Sequence, residues 1–197
     1  RRVLRMNVGD DILICDSTGC DYEAEISEID EKKVVCDIIK KKKSETESKI
    51  ELTLYQGIPK GSKMELIIQK TCELGVKRIV PVAMQRCVSK LENRKAEEKK
   101  VLRWQKIAEE AAKQSGRGVI PKIAMPINLK EAVLELKKHD MAFVPYECEG
   151  ENTLKPLLRK NKEAKSIGFL IGPEGGFDVE EIQIIKNAGL SPVTLGK

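Results

Sequence analysis

Ser166-Ile-Gly-Phe-Leu-Ile171-Gly-Pro-Glu-Gly-Gly-Phe177-Asp178-Val-Glu-Glu181 reads as a strand, a glycine-rich turn and a capped helix in direct succession. The apolar run 166–171 suits a strand buried on both faces. Asp178 followed three residues later by Glu181 is a capping-box pattern, in which each side chain satisfies a main-chain N–H of the other's segment. Three glycines in the turn allow backbone shapes and close approaches that other residues forbid. In an open α/β sheet, ligands sit beyond the carboxyl ends of strands, so this turn is the first candidate for chemistry. The spacing is not Gly-x-Gly-x-x-Gly, and Gly57-Ile-Pro-Lys-Gly-Ser62 lacks the ending of a phosphate loop. Dinucleotide and P-loop chemistry are therefore disfavoured.

The same alternation extends in both directions. Ile50–Tyr55, Arg78–Met84, Met141–Tyr146 and Pro192–Leu195 read as strands. Helices are predicted from Ser62 to Gly75, from about Arg94 to Ser115, from Asn128 to about Lys138, over Leu154–Arg159, and from Asp178 to Ala188. Ser62/Glu65 and Asn128/Glu131 repeat the capping-box spacing, and Gly75, Gly116 and Gly189 stand where helices end. Val101, Trp104, Ala108, Ala111 and Ala112 form the buried stripe of the long helix, which favours a core role for Trp104 over base stacking. Strands alternating with helices predict an α/β fold: a mostly parallel sheet with helices on both faces.

Residues 1–48 differ. Asp11–Cys15, Tyr22–Ile26 and Lys33–Ile39 are short β-rich runs separated by turn residues, which predicts a small β-barrel. The polar stretch 40–49 breaks the pattern and is the candidate linker to a second domain over 49–197.

With 197 residues, 41% hydrophobic and 34% charged, the chain can bury a core and does not resemble a disordered one. Its apolar runs are too short to span a bilayer, and Arg1-Arg2-Val3-Leu4-Arg5 offers no export stretch, so a cytoplasmic protein is expected. The net charge of +5 is too modest to prove a nucleic-acid partner. Its clustering at Lys40, Lys41, Lys42 and Lys43 and through 94–117 points further that way, against the alternative of a mixed-charge solvated surface. Six cysteines without a Cys-x-x-Cys pair, and a single histidine, do not make a zinc site, so no metal is expected. Cys36 and Cys72 read as reduced core thiols, and His139, among Lys137, Lys138 and Asp140, as a solvated side chain.

A second constellation lies on the long helix and just past it: Arg103, Glu110, Gln114, Ser115 and Arg117. Arg86 follows a buried strand at its carboxyl end, where a planar guanidinium can hold phosphate or a carbonyl edge. Ile171–Phe177, Arg86-Cys-Val88, Arg103-Trp-Gln-Lys-Ile-Ala-Glu-Glu-Ala-Ala-Lys-Gln-Ser-Gly-Arg117, the stretch 60–76 and Val3-Leu-Arg-Met6 occur in this order. Together they resemble the RsmE-type small-subunit ribosomal RNA (uridine-N3) methyltransferases of the SPOUT superfamily, along essentially the whole chain.

The resemblance implies an N-terminal PUA-like barrel, a C-terminal α/β domain with a deep trefoil knot, a homodimer, and S-adenosyl-L-methionine as methyl donor. Carried onto this sequence, the donor borders Pro145, Tyr146 and Glu147, then Ile171, Gly172, Pro173, Glu174, Gly175 and Gly176, and finally Leu195 and Gly196. Family members continue past the Leu-Gly pair, so the knot segment within 49–197 is expected to be incomplete. Arg86 and Arg117 are the candidates for stabilising charge on the uracil imide or for positioning the RNA, with Glu110 and Gln114 orienting them. Arg2, Arg5, Lys40–Lys43 and Arg103 are the candidates for gripping ribosomal RNA. The rival reading is an RNA-binding adaptor on a methyltransferase scaffold without catalysis.

Overall fold

The computed structural model describes residues 6–87 and 93–196, which form two compact units: residues 6–47 with 112–120, and residues 48–87 and 93–111 with 121–196. Arg2, Arg5 and Val88 lie outside the described residues.

The first unit is built on a three-stranded antiparallel sheet, β1 (Asp11–Cys15), β2 (Cys20–Ile29) and β3 (Val34–Lys43), in the order β1-β2-β3. The basic run expected to open a linker is instead the second half of β3. Lys40–Lys43 pair in register with Glu23, Tyr22, Asp21 and Cys20. Lys42 reaches Glu23 at 2.9 Å, and Lys41 lies 5.2 Å from the Tyr22 ring centroid. Opposite charge and an aromatic face across the ladder offset the poor strand propensity of lysine. Residues 112–120 belong to this unit, with Val119 bridging Thr18 and Gly19 N–H donating to Gly118 O at 2.9 Å.

The second unit holds a seven-stranded sheet in the order β10 (Ser191–Val193), β8 (Met141–Pro145), β9 (Ser166–Ile171), β4 (Glu51–Gly57), β5 (Arg78–Ala83), β6 (Lys122–Ile123), with β7 (Ile127–Asn128) also on β5. Every pairing in it is parallel. Parallel neighbours need crossovers, supplied by α1 (Lys63–Glu73), α2 (Arg94–Gln114), α3 (Leu129–Leu136), α4 (Leu154–Lys160) and α5 (Val179–Asn187). Alternation along β4 sends Tyr55 to one face, with Val82, Leu136, Leu170 and Ile185, and Leu54 to the other, with Ile68, Ile79, Trp104 and Ala108. Both faces are covered, which is why the strands are apolar throughout. Trp104 is a core residue, 5% exposed. Among the described residues no helix is long and apolar enough to cross a membrane.

Two capping boxes form as expected, at Asn128 with Glu131 and at Asp178 with Glu181. The third does not. Ser62 has φ −84° and ψ 0°, outside the extended region an N-cap needs, and its hydroxyl makes no cap bond. The Glu65 N–H is taken by Ser62 O at 3.0 Å, and the Glu65 carboxylate by Arg103 at 2.6 Å. His139 is not solvated either. Its ring is half-buried, edge-on to Tyr55, and Nε2 lies 3.1 Å from the Tyr55 hydroxyl. Gly168 makes the seat, since a Cβ there would come within 2.5 Å of His139 Cδ2. Burial pushes the Tyr55 hydroxyl up to about 12.

Candidate functional site

Because β10, β8, β9, β4 and β5 run parallel and adjacent, their carboxyl ends open onto one edge of the sheet. Val193 is level with Pro145, Ile171 with Gln56, and Gly57 with Val82. Pro145–Glu147, Ile171–Gly176 and the residues after Val193 are thus brought to that edge by neighbouring strands. Leu195 and Gly196 are exposed there, while Thr194 is tied down by its N–H to Asn152 O at 2.7 Å.

The glycine turn leaves β9 at Gly172 and enters α5 through the Asp178 cap. Gly176, at φ +67°, donates to Pro173 O at 2.9 Å and closes the turn. This left-handed conformation costs other residues about 1–2 kcal/mol. Phe177 is buried and meets Tyr146 edge-on at 6.2 Å between centroids. From β4, the buried Gln56 amide donates to Gly172 O at 3.2 Å and to Gly57 O at 3.0 Å. Lys60 N–H meets the Glu174 carboxylate at 3.3 Å, and Lys63 Nζ stands 3.5 Å from it. The main-chain N–H of Glu174 itself, then that of Lys60, then Lys63, hold this carboxyl below its ordinary range.

From the segment after β5, Arg86 donates to Gly175 O at 2.9 Å and faces Asp178 at 3.4 Å. Beside it, Gln85 N–H donates to the buried Glu181 at 2.7 Å. Glu181 also accepts from Asp178 N–H at 2.9 Å, so one carboxylate ties the β5 end to the start of α5. Gly57 packs so tightly that an added Cβ would lie 2.7 Å from both Pro173 N and Cδ and 2.9 Å from Met84 Sδ. The turn is pre-organised: its path is fixed by three strand ends before any ligand arrives.

The remaining candidates are placed differently. Arg86 takes Gly175 and Asp178 as partners rather than Glu110 or Gln114, both of which are exposed on α2. The Arg117 side chain is 3% exposed and in a forked ion pair with Glu47, at 2.7 Å from NH2 and 3.2 Å from Nε. This pair fixes the segment 112–120, and the guanidinium is not presented to solvent. Arg103, Lys40, Lys41, Lys42 and Lys43 are exposed. Three contributors escaped the sequence reading: Gln56, Gly57 and the second bond of Glu181. Only Gln56 carries a sequence signal, a polar residue closing an apolar strand.

A family model described as an RNA methyltransferase domain matches residues 46–197, and a second, described as an RNA methyltransferase PUA domain, matches residues 1–39. The chain belongs to the RNA methyltransferase family. It is 34% identical over 185 residues to the ribosomal RNA small subunit methyltransferase E of Bacillus subtilis, covering 92% of this chain and 72% of that one. The structure of the Neisseria gonorrhoeae methyltransferase of the same name, bound to S-adenosyl methionine, matches with a TM-score of 0.87 at 30% identity, over 100% of this chain and 78% of the other. A Legionella pneumophila methyltransferase in complex with the same compound matches at 0.85 and 31%, over 99% and 78%. The α/β domain of mostly parallel strands and the preceding small antiparallel sheet are those of this methyltransferase family.

Proposed function

We propose that this chain catalyses S-adenosyl-L-methionine-dependent methylation of small-subunit ribosomal RNA at N3 of a uridine, acting as a cytoplasmic homodimer with its strand-end segments gathered in a trefoil knot. The single observation that carries the reading is the meeting of three chain segments at the carboxyl edge of the adjacent parallel strands β10, β8 and β9. There, Pro145–Glu147, Ile171–Gly176 and Leu195–Gly196 offer main-chain groups beside the apolar faces of Tyr146 and Phe177. The fit to the donor is good. Glycines at 172, 175 and 176 let Phe177, Arg86 and Glu147 close in on the turn, since a Cβ at these positions would meet them at 3.2, 3.2 and 2.5 Å. When bound, the donor supplies an electrophilic methyl on a sulfonium. The chain's part is to hold that methyl in line with N3. Arg86 keeps the Gly175 carbonyl and the Asp178 cap in place, and its cationic field also lies near charge developing on the imide. Residues 1–48, with Lys40–Lys43, grip the RNA backbone, and Arg103 offers a further cation to RNA on the other unit.

Calorimetry should show saturable binding of S-adenosylmethionine. Labelled methyl should pass to small-subunit RNA from cells lacking the modification, and the product should be N3-methyluridine. RNA binding with neither donor binding nor transfer would leave only an adaptor. Reversing the charge of Lys40–Lys43 should weaken RNA binding and flatten its salt dependence; unchanged affinity would refute that assignment.

A further inference from the structure

Methylation at uridine N3 requires that the imide proton leave, and a carboxylate beside the methyl's landing point is the simplest acceptor. The acidic groups around the glycine turn differ in what already engages them. Glu174 is held by Lys60 N–H and Lys63. Asp178 accepts from Glu180 N–H at 3.1 Å and faces Arg86. Glu181 is buried between Gln85 N–H and Asp178 N–H. Glu149 accepts from the N–H groups of Glu151 and Asn152, at 3.1 Å each. Glu147 is different: it is exposed, and no hydrogen bond or ion pair joins its carboxylate to another of the described residues.

Its position is nevertheless fixed. Tyr146 N–H donates to Val193 O at 2.9 Å, Glu149 N–H donates to Tyr146 O at 3.1 Å, and the Tyr146 ring rests on Phe177. The carboxylate lies directly over Gly176, where a Cβ would be 2.5 Å from Oε1. An unengaged carboxylate therefore stands on the turn proposed above to border the donor, in space that exists because residue 176 has no side chain.

We infer that the Glu147 carboxylate is the general base of methyl transfer, taking the proton from uridine N3. This rests on the function proposed above. The N3–H bond breaks and its proton goes to Glu147. The pair left on N3 forms the bond to the methyl carbon, and the electrons of the broken carbon–sulfur bond stay on sulfur, giving S-adenosylhomocysteine. The proton then passes to solvent, to which the exposed carboxyl is open. The main chain of Glu147 borders the donor, and its side chain serves the RNA base.

Glu147→Gln should lower kcat by about 10²–10⁴-fold near neutral pH. Affinity for S-adenosylmethionine, read by calorimetry, and the melting midpoint should stay at wild-type values. The deficit should shrink as pH rises, because hydroxide then takes the proton that glutamine cannot. Glu147→Asp, which keeps the carboxylate, should recover part of the rate. In protein labelled with carbon-13 at glutamate carboxyls, the Glu147 signal, identified by its loss in the glutamine variant, should shift. The shift should follow addition of a uridine-containing RNA fragment to the S-adenosylhomocysteine complex. A silent signal, a deficit independent of pH, or weaker donor binding with unchanged kcat would overturn the assignment. Absence of methyl transfer by the wild-type protein to any ribosomal RNA would instead remove the proposed function, and this inference with it.

Discussion

Gly57→Ala tests whether the proposed donor site is built on contact between the β4 end and the glycine turn. The new methyl would lie 2.7 Å from two atoms of Pro173, one of them main chain, and 2.9 Å from Met84 Sδ. Proline N and Cδ sit in a ring and cannot rotate away, so the turn itself has to move. Overpacking of this kind costs about 1–3 kcal/mol. Loss of glycine's freedom in the unfolded chain returns about 0.4–1 kcal/mol. A net loss of roughly 1–2 kcal/mol lowers the melting midpoint by about 2–8 °C for a protein of this size. The displaced turn should weaken donor binding by about tenfold, which is about 1.4 kcal/mol. Scanning calorimetry and titration with S-adenosylmethionine measure both. Gly150→Ala is the control, since a Cβ there meets nothing within 4 Å. If Gly57→Ala melts within about 1 °C of wild type and binds donor normally, the packing argument is wrong.

Three further outcomes follow from other contacts. Arg86→Ala removes the bond to Gly175 O and the ion pair with Asp178, so donor affinity and methylation should both fall; loss of methylation with donor binding intact would mean that its charge acts on the RNA rather than on the turn. Arg117→Ala removes the forked guanidinium from the Glu47 carboxylate, which is 11% exposed and keeps the Val119 N–H at 3.1 Å, and should cost about 3 kcal/mol in urea unfolding; a cost below about 1 kcal/mol would show the pair to be replaceable. Burial, and then the charge of Arg78, hold His139 below its ordinary value of 6.5. The folded state therefore binds fewer protons than the unfolded chain, and stability is complete above that value and declines as pH falls below it. His139→Gln should flatten this part of the stability curve, and an unchanged curve would remove His139 as its source.

Much of the α/β unit was legible because its signals are local. Apolar runs such as 166–171 mark strands buried on both faces, and Asn128/Glu131 and Asp178/Glu181 carry their caps within four residues. Ser62/Glu65 has the same spacing but failed, because Arg103 on a distant helix claims the carboxylate that would complete the box. Lys40–Lys43 looked like a linker for a similar reason: the partners that make them a strand, at 20–23, lie across a turn. His139 looked solvated because its seat is the missing side chain of Gly168. At the candidate site the turn and strand ends could be placed by position alone. The burial of Arg117 against Glu47, and the hold of Gln56, Gly57 and Arg86 on the turn, depend on neighbours far away in sequence.

The parallel order β9-β4-β5 also has a consequence during synthesis. One flank of β4 is covered by β5 soon after it is made, but the other waits for β9, about 115 residues later, as Tyr55 pairs with Leu170. At about 5–20 residues per second, that flank stays open for roughly 6–23 s on the ribosome. An apolar strand with bare amide groups is a template for wrong pairing, so the newborn chain is most exposed to aggregation in this interval.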